Sequence, residues 1–367
     1  MVPSAIDAMS AALSQVGNPS SLHTDGRAAR KSVEDAREKL ARAIDCLPSE
    51  IIFTGSGTES DNAAIKGLFW KSDTKVIVTS SIEHPAVLEA ALWLVEHEGA
   101  EHVTIPVLKS GVIDLQFLQQ LVDKRGIEIA LISVMHANNE TGVIQPLAEV
   151  VRIAGDIPVH TDAIQSFTKA PFSFKQLGLH AATMSGHKVG GPLGIGILVL
   201  RRAYEIPALL HGGGQEREIR SGTINAPSIV ALASAIEAGI YDATKVRELR
   251  NKFEEGVLNL VPNALINGAG ADRLPGISNI TFPGTQSDSL LLLMDGEKVS
   301  CSTGAACSAG VHRPSHVLLA MGHTEISAQS SLRFSLGATT TERDIEFVLD
   351  VLPRVIERGL AANRVGK

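Results

Sequence analysis

The sequence predicts an α/β protein with a mainly parallel sheet in a large domain and a smaller α+β domain after it. Between residues 50 and 200, short β-branched runs alternate with amphipathic stretches of helical length. That alternation indicates βαβ units and a largely parallel sheet. After Ala264 the runs become shorter, and a last helix is expected from about Arg343 to Leu360. A chain of 367 residues also has the length of about two domains.

Each element can be placed in order from its apolar residues. Strands are expected at Ile51–Phe53, Val76–Val78, His102–Ile105, Ile129–Met135, Val159–Asp162, Ala182–Met184 and Ile195–Leu200. Helices are expected at Glu59–Phe69, Pro85–Glu98 and Leu115–Lys124, with helical structure from Pro227 to about Arg250. We predict a large domain of residues 16–243, and a small domain of residues 1–15 with 244–367.

The composition and motifs of the chain argue against several classes of function. The formal net charge is −7 and the sequence contains no basic stripe, which argues against direct binding of nucleic acid. Three cysteines cannot form a disulfide framework, so a reducing compartment is favoured. The sequence contains neither an apolar run of membrane-spanning length nor a signal pattern at Met1. A Walker loop, a dinucleotide fingerprint and zinc-ligand spacings are also absent. We therefore expect a soluble cytoplasmic protein that uses no metal.

The segment Met184–Pro192 carries the strongest local signal. It places Lys188 directly after a predicted strand, in a turn with three glycines and with Ser185 and His187 beside it. Glycines let the backbone approach a bound group closely. A lysine that can lose its proton in such a site can form a Schiff base with a carbonyl cofactor. A solvated loop lysine is the alternative interpretation.

Two further segments contain candidate ligand-binding residues. The run Thr54–Asn62 leaves a strand and enters a helix, so the N–H groups of Gly57 and Thr58 would face an anion such as a phosphate. Asp162 ends an apolar strand, where a protonated ring nitrogen would be a suitable partner. Ordinary capping is the alternative for both segments. Together with Lys188, they predict pyridoxal 5'-phosphate as the cofactor.

With these segments in this order, the chain resembles the cysteine desulfurases of the NifS/IscS type, among the class V, fold-type I aminotransferase-like enzymes. The similarity extends from Gly17–His23 to Ser331–Gly337 and includes the Ser-Gly-His-Lys, Thr-Glu-Ser-Asp-Asn, His-Gly-Gly-Gly-Gln-Glu and Arg-Ser-Gly-Thr segments. It implies a fold-type I large domain with seven strands. It also implies removal of sulfur from L-cysteine, giving L-alanine and a persulfide on Cys307.

The resemblance further implies a role for each matching residue. Catalysis would use Lys188, Cys307 and His84, the last also stacking on the cofactor ring. Asp162 would pair with the ring nitrogen and Gln165 with the phenolic oxygen. The phosphate would be held by Gly57, Thr58, Ser185 and His187, and by Thr223 of the neighbouring subunit in an obligatory homodimer. The substrate carboxylate would be bound by Asn139, which would also contact the cofactor, and by Arg333, whose planar fork suits a carboxylate.

The three cysteines are expected to differ. Cys307 lies among small and hydroxylated residues in Ser302–Gly310, as expected of a mobile loop that carries a thiolate from cofactor to acceptor. The apolar neighbours of Cys46 favour packing. For Cys301 packing is favoured over a role in resolving a persulfide as a disulfide.

The sequence departs from the family pattern in two places. Members usually begin with a strand that reads about Tyr-Leu-Asp-x-Ala-Ala-Thr-Thr-Pro, whereas this sequence starts at Met1-Val2-Pro3, where that strand ends. Either upstream coding sequence supplies the strand, or the substrate site is open on one side. Thr-Gly-Ala-Ala-Cys also replaces Ser-Gly-Ser-Ala-Cys before Cys307, and we expect little effect from it.

Other functions remain open at this point. A selenocysteine lyase or a class V aminotransferase would share the fold, and a truncated, inactive subunit could bind a sulfur-acceptor scaffold. For the desulfurase, the expected acceptors are an iron–sulfur scaffold, a tRNA thiolation enzyme or a cofactor thiolation enzyme.

Overall fold

The computed structural model describes residues 1–303 and 314–365, which form two compact units. The first unit contains Met1–Ile105, Leu115–His136 and Pro146–Gly239. The second contains Pro106–Asp114, Ala137–Gln145 and the described chain from Ile240 onward.

The first unit has seven strands and eight α-helices among its described residues. In chain order they are α1 (Pro3–Leu13), α2 (Thr24–Ile44), β1 (Ile51–Thr54), α3 (Gly57–Lys71), β2 (Val76–Ser80), α4 (Pro85–Glu98), β3 (Glu101–Ile105), α5 (Leu115–Arg125), β4 (Ile129–Ser133), α6 (Leu147–Ala154), β5 (Val159–Asp162), α7 (Phe174–Leu177), β6 (Ala181–Ser185), β7 (Gly196–Leu200) and α8 (Ala226–Glu237).

The seven strands form one sheet in the order β1-β7-β6-β5-β4-β2-β3. Strands β3, β2, β4, β5 and β6 are parallel, and β7 is antiparallel to both β6 and β1. Because two reversals restore the original direction, β1 ends at the same edge of the sheet as β6. The predicted fold-type I architecture with a mainly parallel sheet of seven strands is confirmed.

Every strand of the sheet except β3 is buried along its whole length, because helices cover the sheet. The largest core side chains of this unit include Ile65, Phe69, Ile77 and Leu94, from α3, β2 and α4. A parallel sheet needs this apolar cover, since neither of its faces can be left in water. The core fixes the sheet, and the sheet edge then positions the loops that follow each strand.

Helix boundaries follow local capping chemistry. Pro85 occupies the first turn of α4, where its missing N–H is no loss, and the His84 ring caps the helix by accepting the Ala86 N–H at 3.1 Å. Gly99 ends α4 with φ of +67°, a left-handed value that favours glycine. The predicted helix Pro85–Glu98 therefore coincides with the observed one.

Residues 1–15 lie in the first unit, which differs from the prediction that they join the small domain. Val2 and Ala5 of the N-terminal segment pack against Ala231 and Ala235 of α8, and the Val2 N–H donates to the Gly190 carbonyl at 2.9 Å. Burial of these apolar side chains holds α1 on the first unit.

The main part of the second unit begins at Ile240, close to the predicted boundary at residue 243. Its elements are α9 (Ala243–Leu260), β8 (Leu265–Asn267), β9 (Ile277–Thr281), α10 (Ser287–Gly296), α11 (His316–Ala320), α12 (Glu325–Ala328), β10 (Ser331–Ser335) and α13 (Glu342–Val365). The strands form an antiparallel sheet in the order β10-β9-β8. Phe253, Phe282 and Leu332 lie in its buried core.

The second unit also contains two short segments from earlier in the chain, and the predicted domain boundaries did not include them. Residues 137–145 pair with residues 272–274, with the Ile144 N–H donating to the Asp272 carbonyl at 2.8 Å. This pairing brings Asn139 into the same unit as Arg333. Within the described parts of the chain, every helix is too short or too polar to cross a membrane.

Candidate active site

The candidate site lies where the parallel strands end. Strand β5 ends at Asp162 and β6 at Ser185, and these neighbouring strands point the same way. Strand β1 ends at Thr54 beside them, since Thr54 and Ser185 are each paired with the same residue, Gly196 of β7. Loops at the carboxyl ends of parallel strands are the usual ligand sites in such sheets.

Gly196 makes the approach of these loops possible. A Cβ atom at position 196 would overlap the backbone of Ser56 and the hydroxyl group of Thr54. Because glycine leaves that space open, the turn that follows β1 can lie across β7, close to Ser185.

The turn after β1 forms a capped helix start. The Ser56 hydroxyl accepts the Glu59 N–H at 3.1 Å, and the Glu59 carboxylate accepts the Gly55 N–H at 2.7 Å. Gly57 and Thr58 then occupy the first helical positions of α3, with Gly57 buried and Thr58 exposed. Their N–H groups belong to the first turn of a 15-residue helix, which favours an anion.

Lys188 lies in the short 3₁₀ turn Gly186–Lys188 that follows β6. In the same turn, the Ser185 hydroxyl and His187 Nδ1 lie 2.9 Å apart. Burial lowers the pKa of His187, and the nearby Lys188 and Lys169 ammonium groups lower it further. The predicted phosphate ligands Gly57 and Ser185 are brought together, because a Cβ atom at position 57 would lie 3.2 Å from the Ser185 Cβ atom.

Asp162 is buried at the end of β5. One carboxylate oxygen accepts the Ile164 N–H at 2.8 Å. Burial raises the pKa of Asp162 to about 6, against the Ile164 hydrogen bond and the positive charge of Lys188, which both favour the carboxylate. A second cation beside Lys188 would further stabilise the ionised form of Asp162.

Sequence reasoning missed two further buried acids beside Asp162. Burial and the charge of Asp162 raise the pKa of Asp61, and burial raises the pKa of Glu83 to about 8. The Ser80 hydroxyl and the Met135 N–H both donate to Glu83 Oε1, at 2.6 Å and 2.7 Å. Like charges in a dry site cannot all ionise, so at least one of these carboxyl groups retains its proton unless a cation compensates it.

His160 lies on the other side of Asp61, in the middle of the buried strand β5. Its Nε2 atom is 3.6 Å from Asp61 Oδ1 and 3.0 Å from the Thr183 hydroxyl, while Nδ1 lies 2.9 Å from the Ser133 hydroxyl. Burial lowers the pKa of His160 to about 3, so the ring is neutral. A histidine inside an apolar strand was the signal in the sequence that could have revealed this network.

The first unit fits pyridoxal phosphate on grounds independent of family. Gln165 has a buried side-chain oxygen that lacks a hydrogen-bond partner among the described residues. A bound group with a polar substituent would supply that partner. A protonated ring nitrogen would likewise compensate the negative charge of the buried carboxyl groups around Asp162. The helix start at Gly57 suits a phosphate.

His84 and Thr58 line one cavity of about 510 Å³ in the first unit, bounded also by Asn62, Lys66 and Trp93. Because His84 Nδ1 accepts the Ala86 N–H, a neutral ring carries its proton on Nε2.

Thr223 lies between Arg220 and the start of α8. It lines a cavity of about 260 Å³ with Phe53, Gly55 and Arg220. The Arg220 Nε atom donates to Glu59 Oε1 at 2.8 Å, so the segment before Thr223 is tied to the Gly55–Thr58 turn.

The predicted carboxylate ligands both lie in the second unit. Arg333 Nη1 of β10 donates to the Asn139 carbonyl at 2.9 Å, and the Arg333 backbone pairs with Ser302. Next to Asn139, the buried Glu140 accepts a hydrogen bond from the Ser315 hydroxyl at 2.5 Å, and burial raises its pKa. Asn139 and Arg333 are thus neighbours, although 194 residues separate them in sequence.

Cys307 lies outside the described residues. Cys301 packs against the core of the second unit, and burial raises its pKa to about 11. Burial likewise raises the pKa of Cys46 to about 12. Both thiols therefore stay protonated near neutral pH, as expected of packing residues.

Comparison with known proteins gives a consistent result. The family model described as "Aminotransferase class-V" matches residues 1–348. An IscS-like cysteine desulfurase of Mycobacterium tuberculosis is 45% identical over 374 residues, which cover 99% of this chain and 95% of the relative. Cysteine desulfurase IscS of Dictyoglomus turgidum is 43% identical, with coverage of 93% and 88%.

Among solved structures, a NifS-like protein superposes with a TM-score of 0.89 at 35% identity, covering 98% of this chain and 96% of that one. The chain belongs to the class-V aminotransferase family, among its cysteine desulfurases of the IscS and NifS type.

Proposed function

We propose that this protein is a pyridoxal-phosphate-dependent cysteine desulfurase, which converts L-cysteine into L-alanine and leaves the sulfur as a persulfide on Cys307. The observation that carries the proposal is the meeting of Lys188, Asp162 and the Gly57 turn at one edge of the sheet, where β1, β5 and β6 end. When bound, the cofactor withdraws electrons from the substrate carbon atoms.

The residues of the first unit would hold and tune that cofactor. Lys188 binds it covalently at rest and then removes the α-proton of the substrate. Asp162 keeps the ring nitrogen protonated, and Gln165 hydrogen-bonds the phenolic oxygen. Gly57, Thr58, Ser185 and His187 would hold the phosphate, and His84 would stack on the ring and help to move protons.

The sulfur step would use the thiolate of Cys307. It attacks the sulfur of the substrate, so that an S–S bond forms while the bond between that sulfur and the substrate Cβ atom breaks. The electron pair of the broken bond remains with Cβ, which takes up a proton and becomes the methyl group of alanine. Asn139 and Arg333 hold the substrate carboxylate, since a guanidinium fork matches its two oxygens.

We further propose a homodimer as the working unit, in which Thr223 reaches the phosphate bound by the neighbouring subunit. The persulfide then passes to an acceptor protein for iron–sulfur cluster assembly or for thiolation of tRNA or a cofactor. Identities of 45% and 43% to cysteine desulfurases support the sulfur transfer.

The test is to incubate the purified protein with L-cysteine and a thiol reductant, and to quantify alanine and sulfide together. Equal amounts of both products are expected, and Cys307→Ala is expected to abolish them while leaving the yellow, cofactor-loaded protein intact. Cys46→Ala and Cys301→Ala are matched controls that should retain activity, because both thiols are packed and protonated.

Two results would contradict the proposal. Amino-group transfer that survives Cys307→Ala would indicate an aminotransferase, which needs no thiol. A cofactor-loaded wild-type protein that yields neither alanine nor sulfide would exclude the desulfurase activity of this chain.

A further inference from the structure

The segment of residues 211–223 is folded back on itself. Leu210 pairs with Arg220, and the Gly222 N–H donates to Gln215 Oε1 at 2.9 Å. The Gly214 N–H donates to the Ser221 hydroxyl at 3.2 Å. Thr223 follows directly after this closed loop, so its position depends on the turn in the middle of the segment.

That turn has an unusual backbone. Three consecutive residues other than glycine have positive φ, with 47° at Glu216, 62° at Arg217 and 61° at Glu218. Side chains disfavour this region of the backbone map, so such a run persists only where neighbouring groups hold it.

The Glu216 side chain is the centre of the contacts. It is only 4% exposed, and it accepts hydrogen bonds from both terminal nitrogens of Arg37, at 3.0 Å and 2.7 Å. It also accepts the Phe53 N–H at 2.7 Å, and Arg37 lies over the Phe53 ring, 4.5 Å from its centre. One carboxylate thus joins α2, β1 and the strained turn.

Arg217, the next residue, also holds this turn in place. Arg217 donates to the Leu200 carbonyl at 3.2 Å and to the Tyr204 carbonyl at 2.9 Å, at and beyond the end of β7. Strand β1, which Glu216 contacts at Phe53, leads directly into the Gly55–Thr58 turn, where Glu59 binds Arg220. The middle of the segment, through Glu216, and its later part, through Arg220, are therefore both connected to the predicted phosphate turn.

From these contacts we infer that Glu216 is a positioning residue for the cofactor site: its ion pair with Arg37 keeps residues 211–223 ordered, so that Thr223 is held ready for the neighbouring subunit's phosphate. The inference rests on the proposed function, because that function gives Thr223 its ligand. Glu216 and Arg37 do not themselves touch the cofactor.

The experiment compares Glu216→Gln with Glu34→Gln in the full-length protein. Glu34 is a matched control because it pairs with the same arginine, at 3.1 Å, but is 52% exposed. Hydrogen–deuterium exchange is measured without cofactor. Loss of a buried partner is expected to speed exchange in residues 211–223 by about tenfold or more in Glu216→Gln, and exposed Glu34→Gln should match wild type.

A second readout measures affinity for pyridoxal phosphate and for pyridoxal, which lacks the phosphate. Residues 211–223 would position Thr223 for the phosphate. Glu216→Gln should therefore weaken the binding of pyridoxal phosphate by about tenfold and leave the binding of pyridoxal unchanged. Equal weakening of both ligands would mean general damage and would overturn the inference. Wild-type exchange rates in the variant would overturn it as well.

Arg37→Lys keeps the test decisive if Glu216→Gln does not fold. Lysine retains the charge but loses the two-pronged contact, so faster exchange confined to the same segment is expected. Unchanged exchange in that folded variant would again exclude the inference. Failure of the proposed function would give a different result. Wild-type protein would then bind pyridoxal phosphate no better than pyridoxal, whereas hydrogen–deuterium exchange would still show whether the ion pair orders residues 211–223.

Discussion

Gly57 and Ile164 lie so close together that a Cβ atom at position 57 would overlap the Ile164 Cδ1 atom. Ile164 also donates its N–H to Asp162 at 2.8 Å. The start of α3 and the aspartate at the end of β5 are therefore in contact through one isoleucine. The predicted phosphate turn and the predicted ring partner cannot move independently of each other.

This contact predicts the effect of Gly57→Ala. The added methyl group must displace the Ile164 side chain, next to the N–H that Asp162 accepts, and it crowds Ser185, so cofactor affinity should fall by about tenfold or more. Ile164→Val removes the overlapping Cδ1 atom and should have little effect alone. The double variant should recover most of the affinity, as measured by titration of cofactor-free protein. If the double variant binds as weakly as Gly57→Ala, the steric explanation is wrong.

Asp162→Asn should separate cofactor binding from turnover. Asparagine keeps the size of the side chain and an oxygen that can accept the Ile164 N–H, but it cannot hold a proton on the ring nitrogen. Alanine formation should fall by at least about a hundredfold, as for other electrostatic groups in dry sites, while the protein still turns yellow. Full activity in this variant would contradict the role given to Asp162.

Glu83 predicts a pH dependence of stability in the cofactor-free protein. Burial raises its pKa to about 8, above its ordinary value of 4.5, so the folded state holds a proton that the unfolded chain releases. Stability from this group is complete below the unfolded pKa and is lost as pH rises through about 8. Each pKa unit corresponds to about 1.4 kcal/mol, so the loss amounts to a few kcal/mol.

Glu83→Gln tests that dependence, since glutamine resembles the protonated acid and still accepts from Ser80 and Met135. Urea unfolding between about pH 6 and pH 9 should show a smaller loss of stability in this variant than in wild type. The exposed Glu89→Gln serves as the control and should follow the wild-type curve. A Glu83→Gln curve parallel to wild type would show that Glu83 is ionised throughout.

Arg333→Lys and Asn139→Ala should both weaken substrate binding. Lysine keeps the charge but loses the fork, so the KM for L-cysteine should rise about tenfold or more with a smaller change in kcat. Asn139→Ala preserves the carbonyl that accepts from Arg333, so any rise in KM reports on its side chain alone. Arg354→Lys, an exposed arginine paired with Glu297, is the control. An unchanged KM in both variants would remove these residues from the carboxylate site.

The sequence by itself predicted the seven strands of the first unit and its helices α3, α4, α5 and α8, but not α1, α2, α6 and α7. Strand β5 and helix α4 were predicted to the residue, because buried β-branched runs and the Pro85 helix start are local signals. Lys188, Gly57 and Asp162 were predicted as site residues because each follows or ends a strand, and the ends of parallel strands meet at one edge.

Only the tertiary structure decided which distant residues meet. The pairing of Thr54 and Ser185 with Gly196, and the contact of Arg37 with Glu216 across 179 residues, depend on how the elements pack and leave no periodic trace in the sequence. Residues 137–145 pair with the chain near residue 273 for the same reason, and the placement of α1 on α8 rests on small apolar side chains that could have packed elsewhere. Local patterns specify strands and helices, whereas ion pairs and buried acids such as Glu83 acquire their character from the whole fold, because desolvation depends on every element around them.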